Sequence, residues 1–132
     1  MPTELGQPIV GPARGVPAVV GDTDVSAGDV VAVSSGTIVP ADDTTNTDDL
    51  GVCSDDGTDG DIITVYREGI IAANVAGSVT AGAELGLSAT AGQLTSGTGG
   101  YHAWSDAGGA NSPIQHGSVD GLGANAAAVE VK

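Results

Sequence analysis

From Val25 the chain reads VSAGDVVAVSSGTI, in which Val31 and Val33 alternate with smaller residues before Ser35-Gly36 and Ile38. A period of two marks a strand with one buried face, and the Ser-Gly pair marks the tight turn that ends it. A looser version, VTAGAELGLSATAGQL, begins at Val79. It keeps Val79, Ala81, Gly82, Leu85, Leu87 and Ser88 in the same order. After a turn two residues longer, Gly92 and Leu94 stand where Gly36 and Ile38 stood. Glycine suits both turns because positive φ costs it nothing.

Similar stretches follow each copy. LGVCSDDGTDGDIITVYREG predicts a short strand through Val52, an acidic loop and a strand over 62–67. PIQHGSVDGLGANAAAVEVK predicts a short strand at Ile114, a glycine loop and a strand over 127–132, with Val129 and Val131 matching Ile63 and Val65. Between them, YREGIIAANV predicts a hairpin turned at Glu68-Gly69, with Ile71, Ala73 and Val75 on one face. The pattern therefore predicts two similar meanders, over 25–78 and 79–132, closing on one another with pseudo-twofold character. Independent convergence on turn-rich strands is the competing explanation.

Two segments lie outside this pattern. Residues 1–22 hold four prolines and four glycines with no sustained period. Proline removes backbone donors, so a central strand is not expected there. The segment is expected to be an extended arm ahead of a folded domain over 23–132, or else a frayed terminus. TSGTGGYHAWSDAGGANSP, residues 95–113, predicts a long loop carrying Tyr101 and Trp104. Loops of that length in compact domains are usually functional or disordered. Trp104 either plugs the core or anchors an interface.

Composition narrows the class. With 22 glycines, six prolines, no phenylalanine and one tryptophan, the 132-residue chain must build its core from Val, Ile, Leu and Ala. Helix-forming Lys, Arg, Gln and Glu are scarce and β-branched residues plentiful, so the fold class is all-β, a small barrel or sandwich. Seventeen acidic residues face three basic ones, a formal net charge of −14. Nothing here neutralises phosphates, so neither nucleic acid nor an anionic membrane is an expected partner. Either a basic partner or very high salt accounts for the acidity, and the near-total loss of lysine favours salt and an extreme halophile. Cys53 is the only cysteine, expected as a small buried hydrophobe. No apolar run reaches the ~18 residues of a membrane span, and no basic-then-apolar signal pattern opens the chain.

Candidate chemistry is sparse. Residues 42–61 hold eight aspartates, and DDGTDGDI invites a calcium-loop reading from Asp55. Gly57 then falls at the third place and Tyr66 at the twelfth, where ligands are required, so a solvated acidic loop is the better reading. His102 and His116 have no second ligand at metal spacing, SGTGGYHAW lacks the lysine of a phosphate loop, and three aromatic residues cannot line a sugar cleft. A lipoyl-type carrier needs a lysine at a hairpin tip, and the only lysine is Lys132. No cofactor, metal or enzymatic activity is expected; a contrary result would be an activity sensitive to His116 or Asp61.

VSAGDVVAVSSGTIVPADD, followed by LGVCSDDGTDGDIITVYREGIIAANVAGSVTAGAELGLSATAGQLTS, resembles the small capsid-decoration, or head-stabilising, proteins of tailed viruses. The shared features are a Gly-Asp turn before an apolar strand, a short LGV strand, a GDxxTV…xGII unit and a second VTAG…L unit. The resemblance covers residues 19–96 closely and 97–132 loosely. It implies a virion protein on the capsid surface, a β-rich homotrimer that cements the major capsid protein. It also implies an N-terminal arm that orders on the shell, through Ile9, Val10, Val16, Val19 and Val20. Tyr101 and Trp104 are then possible interface residues, and the acidity fits a virus of halophilic archaea. An acidic, adhesin-like surface module of a halophile is the alternative.

Overall fold

A computed structural model describes residues 4–114 and 122–131, and among them every regular element is a strand. In chain order these are β1 (Pro8–Val19), β2 (Val30–Ser34), β3 (Thr37–Pro40), β4 (Asp49–Cys53) and β5 (Ile62–Asn74), then β6 (Glu84–Leu87), β7 (Leu94–Ser96), β8 (Tyr101–Ala103) and β9 (Ala126–Glu130). They form one curled sheet in the order β3-β2-β4-β5-β9-β8-β6-β7, with β1 added antiparallel to β5.

That order is a repeat. The path β3-β2-β4-β5 recurs as β7-β6-β8-β9, and the pairings match residue by residue. Cys53 sits opposite Val65 as Ala103 sits opposite Val129. Gly28 donates to the Cys53 carbonyl as Gly82 donates to that of Ala103, both glycines holding φ near +87° (+86° and +88°). The Ala27 N–H is held by the Asp56 carboxylate, and the Ala81 N–H by that of Asp106.

The repeat also reaches further back than its sequence signature. β1 meets the first half of β5, Val16 against Val65, as the second half of β5 meets β9, Ile71 against Val129. Each unit then curls until its first strand touches its hairpin through a parallel bridge, Val20 to Ile38 and Val75 to Leu94. The first unit is β1-β2-β3-β4 with the start of β5, and the second is the end of β5 with β6-β7-β8-β9.

Several expectations are corrected by this arrangement. The segment read as a free arm is a strand of the chain's own sheet, and Val20 is fully buried. Its prolines are accommodated because β1 pairs along only one edge over most of its length, where a missing donor costs nothing. The division at residue 22 therefore cuts through the first unit. No hairpin turns at Glu68-Gly69; β5 runs straight through, and register shifts in β1 absorb the irregularity opposite Glu68. The second short strand is β8 rather than Ile114, and Val129 corresponds to Val65 rather than Ile63.

The core follows from this layout. Val30, Val52, Ile71, Leu85, Leu94, Tyr101 and Val129 meet between the units, while Val20, Val25, Val31, Ile38, Cys53, Ile63 and Val65 fill the first unit. Each fully buried Val, Leu or Ile contributes about 1.5–3 kcal/mol. Alanines face alanines where β5 pairs with β9, Ala72 against Ala128 and Ala73 against Ala127, so small side chains line both faces of the sheet there.

Candidate functional site

Most of the large apolar side chains that stay in solvent belong to the N-terminal segment, β1 and the start of β5. β1 leaves Val10, Val16 and Val19 exposed, and β5 begins with Ile62, 70% exposed and paired directly with Val19. Ile62 precedes buried Ile63, and in a strand two successive isoleucines must face opposite sides. That doublet was the available signal for Ile62, which the sequence reading did not single out. Of the other residues assigned to the arm, Ile9 packs against the cluster of Ala72, Leu122, Ala126 and Ala128, and Val20 lies in the core. Val20 is fully buried, whereas Ile9 is half-buried.

The two aromatic residues of the 95–113 segment separate. Tyr101 lies on β8 and is fully buried, with its hydroxyl 2.6 Å from the Asp49 carboxylate, so it is a core residue. Trp104 follows β8 with its ring partly in solvent, and its indole N–H donates to Glu130 at 2.8 Å. The Trp104 backbone is fixed by its N–H to the Ala128 carbonyl and by the Ser112 hydroxyl on its own carbonyl. Beside it lies a cleft of about 280 Å³, lined by Gly82, His102, Ala103, Trp104, Pro113 and Glu130. A rigid, amphipathic tryptophan at the rim of an apolar cleft is the usual form of a protein-contact anchor.

The aspartates serve the backbone. Asp42 accepts from the N–H groups of Thr44, Thr45 and Asn46, and these bonds hold its carboxyl below the usual range. The N–H of Ala81, and then Asn111, does the same for Asp106; the N–H groups of Gly99 and Gly100 do so for Glu84. Asp61 accepts from the backbone and hydroxyl of Thr58. Asp29 is the exception, buried to 7% exposure, where desolvation pushes its carboxyl up against its bonds to Ser26 and Asn74. Among the described residues no three His, Cys, Asp or Glu side chains gather as metal ligands would. His102 is exposed on β8 opposite Glu84 and Glu130, and His116 lies outside the described residues. Cys53 is buried, with its thiol on the Ser26 carbonyl.

What the described residues offer is contact surface: the exposed apolar side chains of β1 and β5 and the cleft beside Trp104. The family model for phage cement proteins matches residues 12–119 of the chain, from within β1 to beyond β8. No curated protein matches it.

Proposed function

From the premise that this chain belongs to the phage cement proteins, structural proteins of the virion capsid without catalytic activity, we propose that it acts as a homotrimer bridging neighbouring copies of the major capsid protein. The observation that carries this reading is the set of exposed apolar residues along the N-terminal segment and its partner strand, Leu5, Val10, Val16, Val19 and Ile62. Capsid attachment is assigned to its first part. There Leu5 and Val10 are exposed, and a shallow cleft opens between Val10, Pro12 and Ile70. Exposed apolar groups on a strand that is already folded lose little conformational entropy on docking.

Truncation does not test this cleanly. Removing residues 1–20 also removes β1 and buried Val20, so attachment and folding would fail together. The test is co-sedimentation of the full chain with undecorated capsids, comparing the parent with Leu5→Asp and Val10→Asp. Loss of binding with an unchanged melting temperature supports the assignment; full binding by both variants overturns it.

The same reading extends to the environment. A net charge of −14 supports a virus of a high-salt host, because molar salt screens the repulsion among closely spaced carboxylates.

A further inference from the structure

The two units of one chain meet head to tail. Unit one presents Gly28, Asp29, Val30 and Ala41, and unit two lays the end of β5 and the β6–β7 turn on them. The N–H of Asn74 donates to the Gly28 carbonyl at 2.8 Å, and its side-chain amide reaches Asp29 at 3.2 Å. The Gly92 carbonyl takes the N–H of Val30, and the Gly92 N–H donates to Ala41.

A twofold axis would repeat these contacts between the counterpart residues, and it does not. The counterpart of Asn74 is Val19, fixed by Val19 facing Ile62 as Asn74 faces Ala126. The counterparts of Gly28 and Asp29 are Gly82 and Ala83. A Cβ placed on Gly28 would strike Leu5 and approach the Ala72 carbonyl, whereas one on Gly82 meets open space. Gly36, the counterpart of Gly92, is equally open. One donor surface and one acceptor surface are therefore used within the chain, and a second of each is left over at its two ends.

The leftover surfaces are where the exposed apolar groups lie. Val16, 48% exposed, corresponds to Ile71, which is fully buried in the core between the units, and exposed Ile62 corresponds to Ala126, which clusters with Leu122 and Ile9. Val33 on β2 is exposed, while Leu87, its counterpart on β6, is half-buried. On the opposite surface Gly82 borders the cleft that holds Trp104. Residues that are core in one unit and solvent-facing in the other are accounted for if the second surface is covered by another copy.

We propose that copies of this chain join head to tail, β1 of one copy docking on the Gly82–Ala83 edge and Trp104 cleft of the next as the end of β5 docks on Gly28–Asp29 within the chain. The inference deepens the oligomer proposed above and rests on it. Such a contact is heterologous, so it closes only as a ring. A trimer built this way sets six copies of the unit around one axis. Pro17 fits this role, because its counterpart Ala72 donates its N–H to Gln7, a bond that a docking copy would have no equivalent residue to receive.

The experiment is thiol cross-linking in the otherwise native chain, where buried Cys53 is the only other thiol. Val19→Cys and Ala83→Cys are made singly and together, and treated with a short bifunctional maleimide after light scattering has fixed the oligomeric state. The double variant is expected to give a ladder of covalent species ending at the closed ring, with the single variants remaining uncross-linked. An oligomer whose double variant yields no ladder, or whose Val19→Cys variant links to itself, overturns the head-to-tail contact and leaves the oligomer standing. A monomer at all concentrations overturns both. As an independent check, Val19→Asp with Ile62→Asp should convert the oligomer to folded monomer; an undisturbed oligomer counts against the proposal.

Discussion

The Tyr101 hydroxyl donates to the Asp49 carboxylate across 2.6 Å, tying β8 of the second unit to β4 of the first. The ring is fully buried, and desolvation, with the Asp49 hydrogen bond and charge behind it, pushes the phenol far above its ordinary range. Tyr101→Phe keeps the packing and removes the bond. It is expected to destabilise the fold by about 1–3 kcal/mol, and Tyr101→Ala by about 3–5 kcal/mol through the cavity it leaves. Chemical denaturation measures both, and a Tyr101→Phe variant as stable as the parent would remove the bond from the account of how the units hold together.

Cys53 and Tyr101 together set the alkaline limit. Burial pushes the Cys53 thiol from 9.0 to about 12, and the phenol rises from 10.0. Both groups bind their protons more tightly when folded, so their contribution is intact below the unfolded values and is lost as pH rises past them. Thermal stability should hold up to about pH 9 and then fall. In the native state at pH 8 Cys53 should resist a thiol reagent and react only as the chain unfolds; rapid stoichiometric labelling of folded protein contradicts its burial.

The acid side has the opposite sign. Backbone N–H groups hold the carboxyls of Asp42, Asp106 and Glu84 below their unfolded values of 3.8, 3.8 and 4.5. Their contribution is present above those values and is lost as pH falls through the lower folded ones. Asp29 works against this trend, since its raised carboxyl favours the protonated form. Asp106→Asn should therefore flatten the decline in melting temperature below about pH 4 relative to the parent, and Asp29→Asn should remove a gain in stability that the parent makes as pH falls towards 3.8. Superimposable acid limbs for all three proteins would show that these turns do not govern acid stability.

Much of this fold was legible from alternation and turns. The repeat at Val25 and Val79 was readable because a positive-φ glycine must stand at the same place in each unit, and Gly28 and Gly82 do so at matching angles. Its true start was hidden because β1 carries Pro8, Pro12 and Pro17, residues that local rules exclude from a central strand but that an edge tolerates. Gly69 hid the length of β5 in the same way: Glu-Gly reads as a turn, yet here the glycine takes φ +110° inside a continuous strand. The 95–113 segment looked structureless because β7 and β8 have only three residues each, too short for a period to show. The contact surfaces were only partly legible. Val10, Val16 and Val19 were readable as apolar residues without a core period, whereas the exposure of Ile62 depends on register.

Salt dependence follows from the acidic surface itself. Asp55, Asp56, Asp59 and Asp61 stand exposed within one loop, and Arg14 meets Glu68 in an exposed ion pair at 3.8 Å. Exposed pairs of this kind contribute about 0–1 kcal/mol, too little to offset repulsion among so many carboxylates. At ~0.1 M salt the Debye length of about 10 Å lets neighbouring aspartates repel, and at 1 M the length of about 3 Å does not. The melting temperature should rise continuously from dilute buffer to molar sodium chloride. Asp55→Asn with Asp59→Asn should raise stability in dilute buffer and leave it nearly unchanged in molar salt, because only the unscreened repulsion is relieved. A melting temperature independent of salt, or an equal gain from the double variant at both concentrations, would mean that the acidity serves a basic partner surface rather than a saline medium.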